Sequence, residues 1–226
     1  MIRATAVLLA AGKGVRLHSK VPKPMVKLAG KPIIAYSLAA LNAHGGIRDI
    51  VVACNPGNKK AIEAVIKKYR IGKVSCVVYG GRRRQDSVRA ALRVLDPRSE
   101  LVLIHDAARP FIGRELISAL INTAARRGAA IPGVALKPTV KVVDAKRRVQ
   151  RTLDRGVICE IQTPQVFRKS LILEAYKRFG RSNVTDDAAL VEKMRKEVSV
   201  VTGSYSNIKI TTPEDMVLAR AIAEKR

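Results

Sequence analysis

Several stretches of this chain put small residues, fixed cations and a carboxylate where polyphosphate chemistry needs them. The first is Ala10-Ala11-Gly12-Lys13-Gly14-Val15-Arg16, which follows an apolar run. Side chains this small let backbone N–H groups approach a triphosphate, and glycine supplies the dihedrals such a loop requires. Arg16 and the later Pro22-Lys23 then add fixed cations. No Lys-Ser/Thr pair stands at the spacing of a Walker loop, and Leu17 occupies the place of the third small residue of a dinucleotide fingerprint. A Gly-rich turn of structural use only is the competing reading.

Two further stretches extend the pattern. Gly80-Gly81 precedes Arg84-Gln85-Asp86-Ser87 at a predicted helix start, suited to a base or phosphate beside a helix N-terminus; there the plain alternative is a turn with Asp86 as N-cap. His105-Asp106-Ala107-Ala108-Arg109-Pro110 ends another apolar run. An aspartate at a strand tip suits Mg²⁺ held against substrate phosphates, and Arg109 suits a bidentate phosphate clamp. An Asp106 that merely pairs with Arg109 is the alternative, and His105 reads as structural. Arg155 with Gln162-Thr163-Pro164-Gln165, Thr185-Asp186-Asp187 and Asn207-Ile208-Lys209-Ile210-Thr211 place hydroxyls and cations at further element ends, where capping roles are also common.

The elements that must position these residues alternate. Ala4–Leu9, Ile50–Ala53, Val74–Val78 and Leu101–Ile104 are short apolar runs of buried strands; Ile33–Ala43, Lys59–Tyr69 and Asp86–Leu95 are helical patterns between them. This predicts an α/β, Rossmann-like, mostly parallel sheet with helices on both faces and ligands beyond the strands' carboxyl ends. Thr139–Val143 and Val149–Thr152 alternate as a two-stranded ribbon around a polar Asp144–Arg148 turn, with no apolar partner in the chain; it is expected to protrude and pack on a second subunit. Thr212-Pro213-Glu214-Asp215 is a helix start with proline at N1.

Composition sets the limits. At 226 residues the chain suits one domain over 1–226. No apolar run is long enough to span a membrane, and the N-terminal run lacks the cleavage site of a signal peptide, so a cytoplasmic protein is expected. The three cysteines and three histidines show no disulfide or zinc spacing. Lys and Arg total 43 against 18 acids, a formal charge of +25, which points to a polyanionic partner. The few aromatics are not interleaved as a base-stacking platform would be.

In this order, AAGKGVR, PK, GGRRRQDSV, HDAARP, QTPQVF, TDDA and NIKITTPED resemble the 2-C-methyl-D-erythritol 4-phosphate cytidylyltransferases of the non-mevalonate isoprenoid pathway, from residue 10 to 215. The resemblance implies a Rossmann-like fold, transfer from CTP to a polyol phosphate with Mg²⁺, and a homodimer exchanging the arm of residues 137–158. It implies Ala10, Ala11, Gly12, Gly14, Gly80, Arg84, Ser87 and Ala107 around the nucleotide. Arg16 and Lys23 would stabilise the pentacoordinate α-phosphate, with Arg155 and Lys209 as further catalytic cations and Asp106 on the metal. Arg109, Thr139, Lys141, Thr163 and Thr185, together with Arg155 and Lys209, would face the acceptor, with Thr139, Lys141 and Arg155 reaching the partner's site. Pro24, Arg82 and Pro138 depart from the family pattern. The rivals are a ribitol 5-phosphate cytidylyltransferase, against which Ala108 and RQDSV speak, and a nucleic-acid-binding protein on the same scaffold; neither membrane nor nucleic acid is the expected partner.

Overall fold

A computed structural model describes residues 3–225 apart from 13, 18 and 20. Lys13 of the first loop and His18 therefore lie outside the described residues. The strands are β1 (Ala4–Ala10), β2 (Lys27–Leu28), β3 (Lys31–Pro32), β4 (Ile47–Cys54), β5 (Val74–Tyr79) and β6 (Leu101–Asp106). After them come β7 (Ala129–Ala135), β8 (Lys141–Val143), β9 (Val149–Thr152), β10 (Cys159–Ile161), β11 (Gln165–Arg168) and β12 (Ser199–Thr202). The helices are α1 (Ile33–Ala43), α2 (Lys59–Lys68), α3 (Arg84–Leu92), α4 (Arg114–Arg127), α5 (Lys169–Phe179), α6 (Ala188–Glu192) and α7 (Pro213–Glu224).

The main sheet has eight strands in the order β10-β7-β11-β6-β1-β4-β5, with β12 also on β7. β1 runs parallel to β4 and β6, β4 to β5, and β7 to β12; β11 runs antiparallel to β6 and β7, as β10 does to β7. The mostly parallel Rossmann-like sheet is therefore present. Strand side chains alternate between faces with period two. Ala6, Leu8, Val52 and Leu103 pack on one face with Leu38, Ile62 and Leu120 of α1, α2 and α4. Val7, Val51, Val102 and Ile104 pack on the other with Val88, Ile172 and Leu190 of α3, α5 and α6. Each buried valine, leucine or isoleucine among them contributes roughly 1.5–3 kcal/mol. Burial on both faces is why these strands read as unbroken apolar runs.

Register decides where the chemistry falls. Ala10 pairs with Cys54, Cys54 with Tyr79, and Leu9 with Asp106, so four parallel strands end level and their following loops meet on one side. β1, β5 and β6 begin where predicted and β4 three residues earlier, and each runs one or two residues further at its C-terminal end. α1 matches its prediction, whereas α3 opens at Arg84 and closes at Leu92. The reason is local: Asp86 is not the N-cap but sits a turn inside, its carboxylate accepting from the Arg83 backbone N–H at 3.1 Å and from the Arg83 guanidinium. At α7, Thr212 caps and Asp215 accepts from the backbone of Thr211 and Thr212, as the sequence implied.

The predicted ribbon is β8–β9, paired antiparallel. Val143 and Val149 on it, and Val157 just beyond, are exposed. Among the described residues, no helix is long and apolar enough to cross a membrane, and the three cysteines are free thiols.

Candidate active site

The loops after β1 and β5 meet first. Asn58, buried at the start of α2, donates to the Ala10 carbonyl at 3.0 Å, and the Ala107 N–H donates to the Leu9 carbonyl at 3.0 Å. Both bonds pin the tip of β1. A Cβ on Gly80 would lie 2.5 Å from Ser87 Oγ and 2.6 Å from Ala11 Cβ, so only glycine lets these three backbones converge. Ser87 Oγ accepts from the Gly81 N–H at 3.2 Å. Ala10, Ala11, Gly80, Ser87 and Ala107, all read from the sequence as nucleotide-binding, thus share one wall.

Gly14 has φ +65°, and a Cβ there would meet Lys23 Cβ at 2.5 Å. Its absence lets Lys23 lie under the loop. The Lys23 ammonium has no hydrogen-bond or ion-pair partner among the described residues; burial, then the nearby charges of Lys209 and Arg16, lower its pKa to about 8 against the pull of Asp106. Arg16 is exposed at the rim, as is Gly12.

Asp106 is the electrostatic centre. It is 7% exposed; its Oδ1 accepts from Arg84 Nε at 3.0 Å and its Oδ2 from Lys209 Nζ at 2.6 Å. Burial alone would raise its pKa, but the two cations hold the carboxyl well below the usual range. It pairs with these two and not with Arg109. Arg84 continues through Nη1 to Asp187 Oδ2 at 2.7 Å, and the Tyr176 hydroxyl donates to Asp187 Oδ1 at 2.5 Å. Burial and Asp187 push the Tyr176 phenol far above its ordinary value. Gln165 completes the frame, donating to Asp186 at 2.7 Å and accepting from the Asp187 and Ala188 N–H groups.

Two of the expected acceptor ligands are largely buried. Arg109 is 6% exposed, and its Nη1 donates to the Asn207 carbonyl at 2.7 Å. The turn after β6 holds it against residues 207–210, where it braces the Lys209 segment while its Nε is left without a partner among the described residues. Thr163 is 6% exposed; its Oγ1 accepts from the Asp106 N–H at 3.1 Å and bonds His105 Nδ1 at 3.1 Å. His105 is fully buried and structural as read, and burial lowers its pKa to about 4. Thr139, Lys141, Arg155 and Thr185 are exposed. Lys141 donates to Thr152 within the arm and Arg155 to the Lys137 carbonyl at the arm's root, so neither bonds to the Asp106 cluster.

A cavity of about 470 Å³ lies at the opposite end of β6, lined by Pro97, Ser99, Leu101 and Lys169. Its cations are bound to backbone carbonyls: Arg168 to Ala125 and Lys169 to Asp96. The chemistry belongs to the open face at the strands' carboxyl ends. Sequence reasoning passed over Tyr176, Asn58 and the interior role of Asp187; the Thr-Asp-Asp triplet was the only signal for the last.

A family model for 2-C-methyl-D-erythritol 4-phosphate cytidylyltransferase matches residues 4–225. A protein of that name from Clostridium botulinum is 40% identical, covering 100% of this chain and 99% of the relative. One from Geobacillus thermodenitrificans is 41% identical, covering 98% and 97%. The crystal structure of 4-diphosphocytidyl-2C-methyl-D-erythritol synthase from Anaerococcus prevotii superposes with a TM-score of 0.86 at 34% identity, covering 99% of each chain. That of the cytidylyltransferase from Thermus thermophilus does so with 0.80 at 31%, covering 99% of this chain and 100% of that one.

Proposed function

The chain belongs to the 2-C-methyl-D-erythritol 4-phosphate cytidylyltransferase family, and from that premise we propose how its residues divide the work. The enzyme joins CTP and 2-C-methyl-D-erythritol 4-phosphate into 4-diphosphocytidyl-2-C-methyl-D-erythritol and pyrophosphate. An acceptor phosphate oxygen attacks the CTP α-phosphorus; a new P–O bond forms as the bond to the bridging oxygen breaks, and its electron pair leaves with pyrophosphate. No general base is required, because the nucleophile is already an anion. The obstacle is repulsion between anions, and fixed cations held in place before binding reduce it.

The observation that carries this reading is the cluster of Arg84, Lys209 and the unpartnered Lys23 around Asp106, beside the small-residue wall. The wall of Ala10, Ala11, Gly80, Ser87 and Ala107 receives the nucleotide. Lys23 and Arg16 face the α-phosphate. Arg84, anchored on Asp187, keeps Asp106 oriented from the nucleotide side, while Lys209 approaches it from the acceptor side. Arg109 and Thr163 position Asn207 and Asp106 from within.

Mg²⁺ fits this site only as an ion carried in by the triphosphate. No group of three His, Cys, Asp or Glu stands together among the described residues, and both Asp106 oxygens already face cations. Magnesium commonly takes one protein carboxylate and several phosphate oxygens; Asp106 would be that carboxylate. When bound, the ion neutralises triphosphate charge. The exposed valines on and beside the arm support its exchange in a homodimer that carries Thr139, Lys141 and Arg155 to the second site.

The test is pyrophosphate release with CTP and Mg²⁺, offering methylerythritol phosphate and ribitol 5-phosphate in parallel. Release with the first acceptor alone is expected. Preference for ribitol phosphate would reassign the acceptor, and release with neither would remove the transferase reading.

A further inference from the structure

Tyr205 is 52% exposed, yet its contacts are specific. Its hydroxyl donates to the Ala135 carbonyl at 2.7 Å, at the end of β7 where the arm begins. The Lys137 ammonium lies 4.1 Å from the centre of its ring. The Lys137 carbonyl in turn accepts from Arg155 Nη1, so the two ends of the arm meet at this residue. On its other side Tyr205 sits in the segment that leads to Lys209. Ser204 exchanges hydrogen bonds with the Gln162 amide at 2.9 and 3.3 Å. Asn207 donates to the Thr163 carbonyl at 2.9 Å, and Lys209 reaches Asp106. These bonds hold the segment in place, and among the described residues Tyr205 is its side-chain link to the root of the arm.

Resting on the transferase reading above, we propose that Tyr205 is a positioning residue for the acceptor side. It clamps the root of the arm, and with it Arg155, in register with the segment that presents Lys209. A half-exposed tyrosine contributes modestly to the core, so its effect should fall on geometry more than on stability. In the exchanged dimer Lys209 serves its own site and Arg155 the partner's, so each acceptor site draws on two such clamps, one fixing its Lys209 segment and one fixing the arm that reaches it. The nucleotide wall lies on other loops and does not depend on it.

The test compares Tyr205→Phe, Tyr205→Leu and Lys137→Met with the wild type. Loss of both the hydrogen bond and the cation–ring contact in Tyr205→Leu is expected to raise KM for methylerythritol phosphate roughly five- to tenfold. KM for CTP should stay within about twofold and the thermal midpoint should fall by only a few degrees. Tyr205→Phe keeps the ring beneath Lys137 and should recover part of the loss; Lys137→Met should resemble Tyr205→Phe in size. Amide exchange of residues 135–158 should quicken in Tyr205→Leu. Both KM values rising together with a larger fall in the midpoint would show a merely structural role and overturn the clamp. So would unchanged acceptor KM. Should the wild type transfer nothing to methylerythritol phosphate, the transferase reading fails, and exchange alone decides the clamp: unchanged exchange at the arm's root sinks it, faster exchange confined there sustains it.

Discussion

The lowered pKa of Lys23 makes a prediction about rate against pH. In the free enzyme Lys23 titrates near 8 because it is partly buried and faces Lys209 and Arg16. Only the protonated form stabilises a transferring phosphoryl group, so kcat/KM for CTP should fall as pH rises through about 8. At pH 9 roughly a tenth of the enzyme retains the charge, giving a roughly tenfold loss, and each further unit costs about another factor of ten. Bound triphosphate adds negative charge beside the ammonium and draws its pKa back up. The limb in kcat should therefore lie at higher pH than the limb in kcat/KM. Steady-state pyrophosphate release from pH 7 to 10, with CTP varied at saturating acceptor, separates the two. Lys23→Arg keeps its charge throughout and should flatten the limb at reduced activity. A flat wild-type kcat/KM across that range, or a limb that persists in Lys23→Arg, would refute the assignment.

Other perturbations read other parts of the site. Asp187→Asn leaves Arg84 with one carboxylate partner in a buried setting; a loss of about 2–4 kcal/mol in urea unfolding and a raised KM for CTP are expected, and an unchanged KM would detach Asp187 from the nucleotide side. His105 titrates near 4 when folded and near 6.5 when unfolded. The unfolded chain binds the extra proton between these values, so stability is complete above about pH 6.5 and falls by roughly 3 kcal/mol toward pH 4; a His105→Gln variant that keeps that slope would exclude this residue as its origin. Val143→Glu with Val149→Glu should lower the mass seen by light scattering from dimer to monomer, and a wild type already monomeric at micromolar concentration would dismiss arm exchange.

Much of this was legible in the sequence, for physical reasons that can be named. Ala10-Ala11-Gly12 and Gly80-Gly81 announce close backbone approach, and Gly80 does meet Ser87 and Ala11. α1 was readable because Ile33–Ala43 lies between a proline and a glycine pair. The start of α3 was not, since an aspartate one turn inside a helix that bonds back to Arg83 resembles an N-cap in sequence. That Arg109 bonds the Asn207 carbonyl and Thr163 the Asp106 N–H was not legible, because those partners come from distant parts of the chain. β10, β11 and β12 are only three or four residues long, too short for a period to show. Tyr205 acts through a carbonyl 70 positions away, and Tyr176 through an aspartate on a different element, so no periodic pattern marks either.

The ion pair between Asp106 and Lys209 spans 103 positions, whereas Asp106 and Arg84 are 22 apart. As the chain emerges from the ribosome, the nucleotide wall and the Arg84 contact are complete in sequence while the second cation is still unmade. Closing so long a loop is entropically costly, so this contact should form after the folding barrier has been crossed. Lys209→Met should then speed unfolding with little change in the folding rate. Stopped-flow folding arms in urea would show it, and a slowed folding arm would place the contact in the nucleus instead. On this view the two halves of the active site have different birthdays, and the acceptor half is the one whose assembly waits for residues made about a hundred positions after Asp106.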